Sequence, residues 1–132
     1  MKKYSYPAVF TPEENGAYSI YFPNFESCYT CGDTLADGIM MAEDVLAFTL
    51  YDYEKENRPV PSPSNLNEIA VQPGEFVNYI ACDTLAYRKM HSNKAVKKTL
   101  SIPEWLNEAA EKAGINFSRA LQDALMKQLN IN

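Results

Sequence analysis

Histidine occurs once in the chain and cysteine three times, and no apolar run approaches the roughly 20 residues that span a bilayer. The longest candidate, around Ile39 to Leu50, is broken by Glu43 and Asp44. Met1-Lys2-Lys3 leads into a tyrosine-rich alternating stretch rather than a continuous apolar one, so no signal peptide is expected. An odd number of cysteines without an export signal points to a reducing cytoplasm rather than a disulfide framework. Cys28 and Cys31 invite a zinc reading. Residues three apart on a strand point to opposite faces, however, no second pair follows and Cys82 stands alone, whereas zinc takes four ligands. All three are expected to be core or surface thiols. His91 falls in the polar stretch Arg88 to Lys94 without a serine or cysteine partner in any nucleophile motif, and reads as a solvated linker residue.

Basic charge is also scarce. Twelve Lys plus Arg stand against 17 Asp plus Glu, for a net charge of -5 and a sequence pI near 4.8, which excludes a uniformly basic nucleic-acid-coating protein. Core material is plentiful: 46% of the 132 residues are hydrophobic, with 9 Tyr and 6 Phe, so disorder across the whole chain is excluded. The length fits one ordinary domain or two very small ones.

The charge is partitioned. Residues 1–86 carry four basic and thirteen acidic groups, a net of -9; residues 87–132 carry eight basic and four acidic groups, a net of +4. Such asymmetry points to different partners for the two parts.

In the acidic part, Tyr4 to Thr11 and Ala17 to Phe22 alternate apolar and polar residues on either side of Glu13-Glu14-Asn15-Gly16, and Asn-Gly tolerates the positive φ of a hairpin turn. A short strand over Ser27 to Gly32 follows. Asp33 or Thr34 then caps a helix with Asp37 in its first turn. Leu35, Ile39, Ala42, Val45, Leu46, Thr49 and Leu50 recur at three- and four-residue steps, giving that helix one buried stripe to about Tyr53. Pro59, Pro61 and Pro63 make a stiff extended connector, and Glu75 to Cys82 reads as a further strand. The order β-β-β-α-β predicts a small α+β sheet with one face covered by the helix. Clustered carboxylates could in principle hold two metal ions for nuclease chemistry. Tyr4 to Val9 and Ala17 to Phe22 contain none, and the acids concentrate in turns, helix ends and the exposed helix side. Asp52, Glu54 and Glu56 read as solvated charges at a helix end. No catalytic residue, metal or cofactor is expected.

In the basic part, Ala95 to Ile102 alternates with period two: Val96, Leu100 and Ile102 point one way, Lys97, Thr99 and Ser101 the other. Pro103 ends the strand and suits the first position of a helix. Trp105, Leu106, Ala109, Ala110 and Ala113 form an apolar stripe, Gly114 suits a left-handed C-terminal turn, and Asn116 suits an N-cap ahead of a second helix buried through Phe117, Ala120, Leu121, Ala124, Leu125 and Leu129. One strand and two short helices cannot close a core alone, so the strand is expected to pair with its counterpart in a second copy. A two-stranded ribbon fits the major groove of DNA, where Lys97, Thr99 and Ser101 reach base edges, while Asn116, Phe117 and Ser118 offer a helix start to phosphate. The alternative is a helical hairpin used only for oligomerisation.

Two stretches resemble one family. YPAVFTPEENGAYSIYFPNFESCYTCGDTLADGIMMAEDVLAFTL, followed by PVPSPS, is similar to the opening of HicB-type antitoxins of bacterial type II toxin-antitoxin systems, and KKTLSIPEWLNEAAEKAGINFSRALQDAL resembles a ribbon-helix-helix domain that some members carry. The resemblance implies a partly reduced ribonuclease H-like domain over residues 1–86 that blocks a HicA-type mRNA-cleaving toxin, a linker over 87–94, and a ribbon-helix-helix domain over 95–132 that forms a homodimer or higher oligomer and represses its own operon. It places Lys97, Thr99 and Ser101 at base-contacting positions and Asn116, Phe117 and Ser118 at phosphate-contacting ones. Lys98 departs from the family pattern, standing on the apolar face where many such domains have an aliphatic residue. The partners implied are the toxin and operator DNA in the cytoplasm, with no membrane. A regulator of the same domain type, whose N-terminal domain senses a small ligand or another protein, is the alternative.

Overall fold

The structure is a computed structural model that describes residues 3–131. The chain divides between Lys94 and Ala95 into two compact units.

The first unit runs β1 (Lys3–Pro12), β2 (Tyr18–Tyr21), β3 (Tyr29–Gly32), α1 (Leu35–Lys55), β4 (Phe76–Asp83) and α2 (Thr84–His91). The strands form one antiparallel sheet in the order β3-β2-β1-β4, with Val9 opposite both Tyr21 and Val77. Asn15 and Gly16 both adopt positive φ, 64° and 81°, between β1 and β2, as their sequence predicts. The third strand is shorter than expected, because residues 23–27 turn back so that Phe22 N–H donates to the Cys28 carbonyl before pairing begins at Tyr29.

Helix α1 starts where Thr34 Oγ1 accepts from Asp37 N–H at 3.1 Å. It lays Ala42, Leu46 and Leu50 on the sheet, where they meet Tyr6, Ala8, Phe10, Ile20, Phe22 and Ile80 in one buried core. Its first turn comes very close to β3. A Cβ on Gly32 would fall against the backbone of Gly38, and 2.8 Å from the carbonyl carbon of Asp37. The proline-rich connector is tied down at two points. Tyr6 Oη donates to the Pro61 carbonyl, while Asn24 donates to Ser62 O and Ser64 Oγ and accepts from Ser64 N–H.

The expected linker over 87–94 is helical in its first five residues, because α2 runs to His91. Asp83 Oδ1 caps that helix by accepting from Leu85 and Ala86 N–H, and Tyr87 stacks on His91 at 4.3 Å one turn later.

The second unit contains α3 (Glu104–Lys112) and α4 (Phe117–Gln128). Gly114 takes φ 69° after α3, and Asn116 Oδ1 caps α4 by accepting from Arg119 N–H at 3.0 Å. Ala95 to Ile102, expected as a strand, has no ladder in this single chain. A strand is defined by a neighbour to bond to, and among the described residues this segment has none.

Candidate functional site

Two regions carry the residues expected to act. In the second unit, Lys97, Thr99 and Ser101 are all exposed, with no acidic residue between Ala95 and Ile102. Val96, Leu100 and Ile102 on the alternate positions are exposed too, Val96 to 80%. Both sets of side chains along the segment therefore lie open in one chain. Asn116, Phe117 and Ser118 sit at the start of α4, and the Asn116 side chain is already engaged in capping. Among the described residues no hydrogen bond or ion pair joins residues 97–101 to residues 116–118. Trp105, Leu106, Ile115, Leu125 and Leu129 are exposed as well, so this unit buries none of the large apolar side chains on its helices.

In the first unit the electrostatic centre is Glu54, which the sequence pattern alone marks as a solvated charge. Its carboxylate accepts from Tyr4 Oη at 2.9 Å, Thr84 Oγ1 at 3.0 Å and Arg88 Nη2 at 3.1 Å. Burial pushes the carboxyl upward, but the bonds onto it, those from Tyr4, Arg88 and Thr84 among them, prevail and bring it down to about 2. Burial and the same carboxylate push the Tyr4 hydroxyl up to about 12. A signal is present in the sequence, since Glu54 follows Leu50 by four and Ala47 by seven, which puts it at the border of the buried stripe. Asp52 and Glu56 are surface charges that pair with Arg58 at 3.4 and 3.0 Å.

Cys28 is buried, with Thr49 Oγ1 donating to its sulfur at 3.4 Å; Cys82 is half-buried and Cys31 is exposed. Burial raises the Cys28 thiol, and burial together with nearby Asp83 and Glu54 raises that of Cys82 to about 12. Among the described residues no three His, Cys, Asp or Glu side chains are grouped to hold a metal, and no helix is long and apolar enough to cross a membrane.

The profile of the HicB-like antitoxins of bacterial toxin-antitoxin systems matches residues 5–76, more than half of the chain, taking in most of β1, all of β2, β3 and α1, and the first residue of β4. The chain belongs to the HicB-like antitoxin family. That is a family of toxin-binding regulators and not of enzymes. Antitoxin HicB 1 of Photorhabdus laumondii is 37% identical over 65 residues, 48% of this chain and 42% of that protein. Antitoxin HicB of Escherichia coli K12 is 35% identical over 65 residues, 48% of this chain and 47% of its own. The match therefore spans less than half the length of these curated relatives. Among solved structures, a chain of a toxin-antitoxin complex from Streptococcus pneumoniae superposes with a TM-score of 0.63 at 25% identity, covering 96% of this chain and 99% of that one. A crystal structure of antitoxin HicB3 gives a TM-score of 0.51 at 28% identity over 83% of this chain and 81% of its own. HicB-like antitoxins thus share the α+β architecture described here.

Proposed function

We propose that the chain is an antitoxin whose first unit, a partly reduced ribonuclease H-like domain, binds and blocks a HicA-type mRNA-cleaving toxin. In this reading its second unit pairs with that of another copy as a ribbon-helix-helix domain and represses the operon encoding both proteins. The observation that carries the toxin-binding half is the family match over residues 5–76, which lies within the first unit. The DNA-binding half rests on the second unit: a net positive, acid-free segment with Lys97, Thr99 and Ser101 on alternate positions, an open helix start at Asn116, Phe117 and Ser118, and large apolar side chains left uncovered in one chain. Such a surface is completed by a second copy, and a two-stranded ribbon of this composition fits the major groove. A cytoplasmic location follows from the same reading.

The test of toxin binding is co-expression with the neighbouring short basic reading frame. Growth should be arrested by that frame alone and restored by this chain, and a mass determination on the co-purified pair gives the stoichiometry. Absence of any neutralised toxin overturns the antitoxin reading. DNA binding is tested separately with Lys97→Ala plus Thr99→Ala, which should weaken operator binding by about 1–3 kcal/mol for each base edge no longer reached. An unchanged affinity in a folded variant overturns the ribbon assignment.

A further inference from the structure

Helix α1 has two apolar faces, and the sheet accounts for one. Gly38, Ala42, Leu46 and Leu50 are buried against the strands. On the opposite side, Asp37, Met40, Met41, Asp44 and Phe48 recur at steps of three and four residues, so they share the solvent face. Met40 is 67% exposed, Met41 47% and Phe48 55%. Single exposed apolar residues are ordinary, but two adjacent methionines on the same helix face as a half-exposed Phe48, whose ring meets Tyr87 of α2 edge-on, mark an interaction surface. Met40 and Met41 also line a hollow with Cys31, Asp33 and Asp37 beside the end of β3.

The charged side chains that α1 and its N-terminal approach place on this face are all acidic. Asp33, Asp37 and Asp44 are exposed, none of them has a cation within 4 Å among the described residues, and the sequence holds no Lys, Arg or His between Lys3 and Lys55. These features select among occupants. RNA and an anionic lipid surface are repelled. A second copy docking by the same patch would bring like carboxylates together, as any two-fold contact pairs a surface with itself. A protein with a basic, partly apolar surface is attracted. A ribonuclease has such a surface, because it must hold a polyanion.

We propose that the outward face of α1, from Asp33 to Phe48, is where the basic toxin of the reading above docks, its cationic RNA-binding surface meeting Asp33, Asp37 and Asp44 while Met40, Met41 and Phe48 supply the apolar anchors. The proposal rests on the antitoxin reading and adds the surface. Methionine suits the role because its unbranched, polarisable side chain adapts to an irregular partner.

The experiment measures binding of the full chain to the toxin identified by co-expression, held in a catalytically inactive form, by calorimetry at low and high salt. Asp33→Lys plus Asp37→Lys, and separately Met40→Ala plus Met41→Ala, should each raise Kd by about tenfold or more, and the charge variant should also flatten the salt dependence. Glu13→Lys plus Glu14→Lys in the β1–β2 turn makes the same change of charge elsewhere and should stay within about twofold, which separates local docking from net charge. Helix-face variants that bind like wild type overturn the surface while leaving the antitoxin reading intact. A wild-type chain that binds no toxin overturns both. If light scattering instead shows the free chain losing mass on Met40→Ala plus Met41→Ala, the face belongs to a second copy and the proposal fails.

Discussion

Glu54 holds its charge against the opposing effect of burial, and the groups that bond to it include Tyr4 on β1 and Thr84 and Arg88 on α2. Its folded carboxyl titrates near 2 against an ordinary value of 4.5. The stabilisation is therefore complete above about pH 4.5 and is lost as the pH falls toward 2, because only the unfolded chain takes up the proton in that window. Glu54→Gln should cost about 2 kcal/mol at pH 7 and remove most of the difference between pH 5 and pH 3, as followed by urea melts at each pH. The Tyr4 hydroxyl, raised to about 12 by burial and by Glu54, has the opposite dependence: its contribution holds below pH 10 and fades as the pH rises through 12. The spacing of Glu54 from Leu50 and Ala47 marks it as the inward one of three neighbouring carboxylates, but its partners are not legible in the sequence. Which groups meet it depends on where β1 and α2 pack, and that is a tertiary fact.

Among the elements, those with strong local chemistry are legible from the sequence. The Asn15-Gly16 turn, the Thr34 cap of α1 and the Asn116 cap of α4 each rest on a residue type that the backbone geometry demands. Helix α2 is not, although Asp83 caps it, because the polar run from Arg88 to Lys94 reads as a connector until Glu54 is known to receive Arg88. The close approach of α1 to β3 makes a further element-level prediction. Gly32→Ala would drive a methyl group into the backbone of α1, so the whole helix must shift, at a cost of about 2 kcal/mol or more. Gly38→Ala meets only the tip of Ile20, at 2.9 Å, and gains about 1 kcal/mol of helix propensity, so its net effect should stay within about 1 kcal/mol of zero. Thermal melts of the two variants should rank them in that order, and a Gly38→Ala variant less stable than Gly32→Ala would contradict the packing described.

At the scale of the molecule, the net charge of -5 averages an acidic unit with a basic one. The sequence reads as an acidic part followed by a basic one, and the structure divides the chain between Lys94 and Ala95; the state of Ala95 to Ile102 is not legible from its alternation, which does not supply the neighbour that makes a strand. With Val96, Leu100, Ile102, Trp105 and Leu129 all exposed, the second unit leaves its large apolar side chains uncovered in one chain, and clustered exposed apolar surface marks an interaction site. Sedimentation should accordingly find the full chain dimeric at micromolar concentration, and Leu100→Glu plus Ile102→Glu should release monomers in which the first unit keeps its melting transition. A monomeric wild-type chain would remove the ribbon pairing. Binding to operator DNA should weaken steeply with added salt, with Lys97 and Lys98 contributing to the slope.

The unequal surroundings of the three thiols give the protein a built-in site for single labelling. Cys28 is sealed in the core and the sulfur of Cys82 is kept protonated, its titration raised to about 12, so at neutral pH a maleimide should modify Cys31 alone in the native chain and all three residues once it is unfolded. Because Cys31 lines the hollow beside Met40 and Met41, a dye carried there would sense the arrival of a partner without any cysteine having to be engineered.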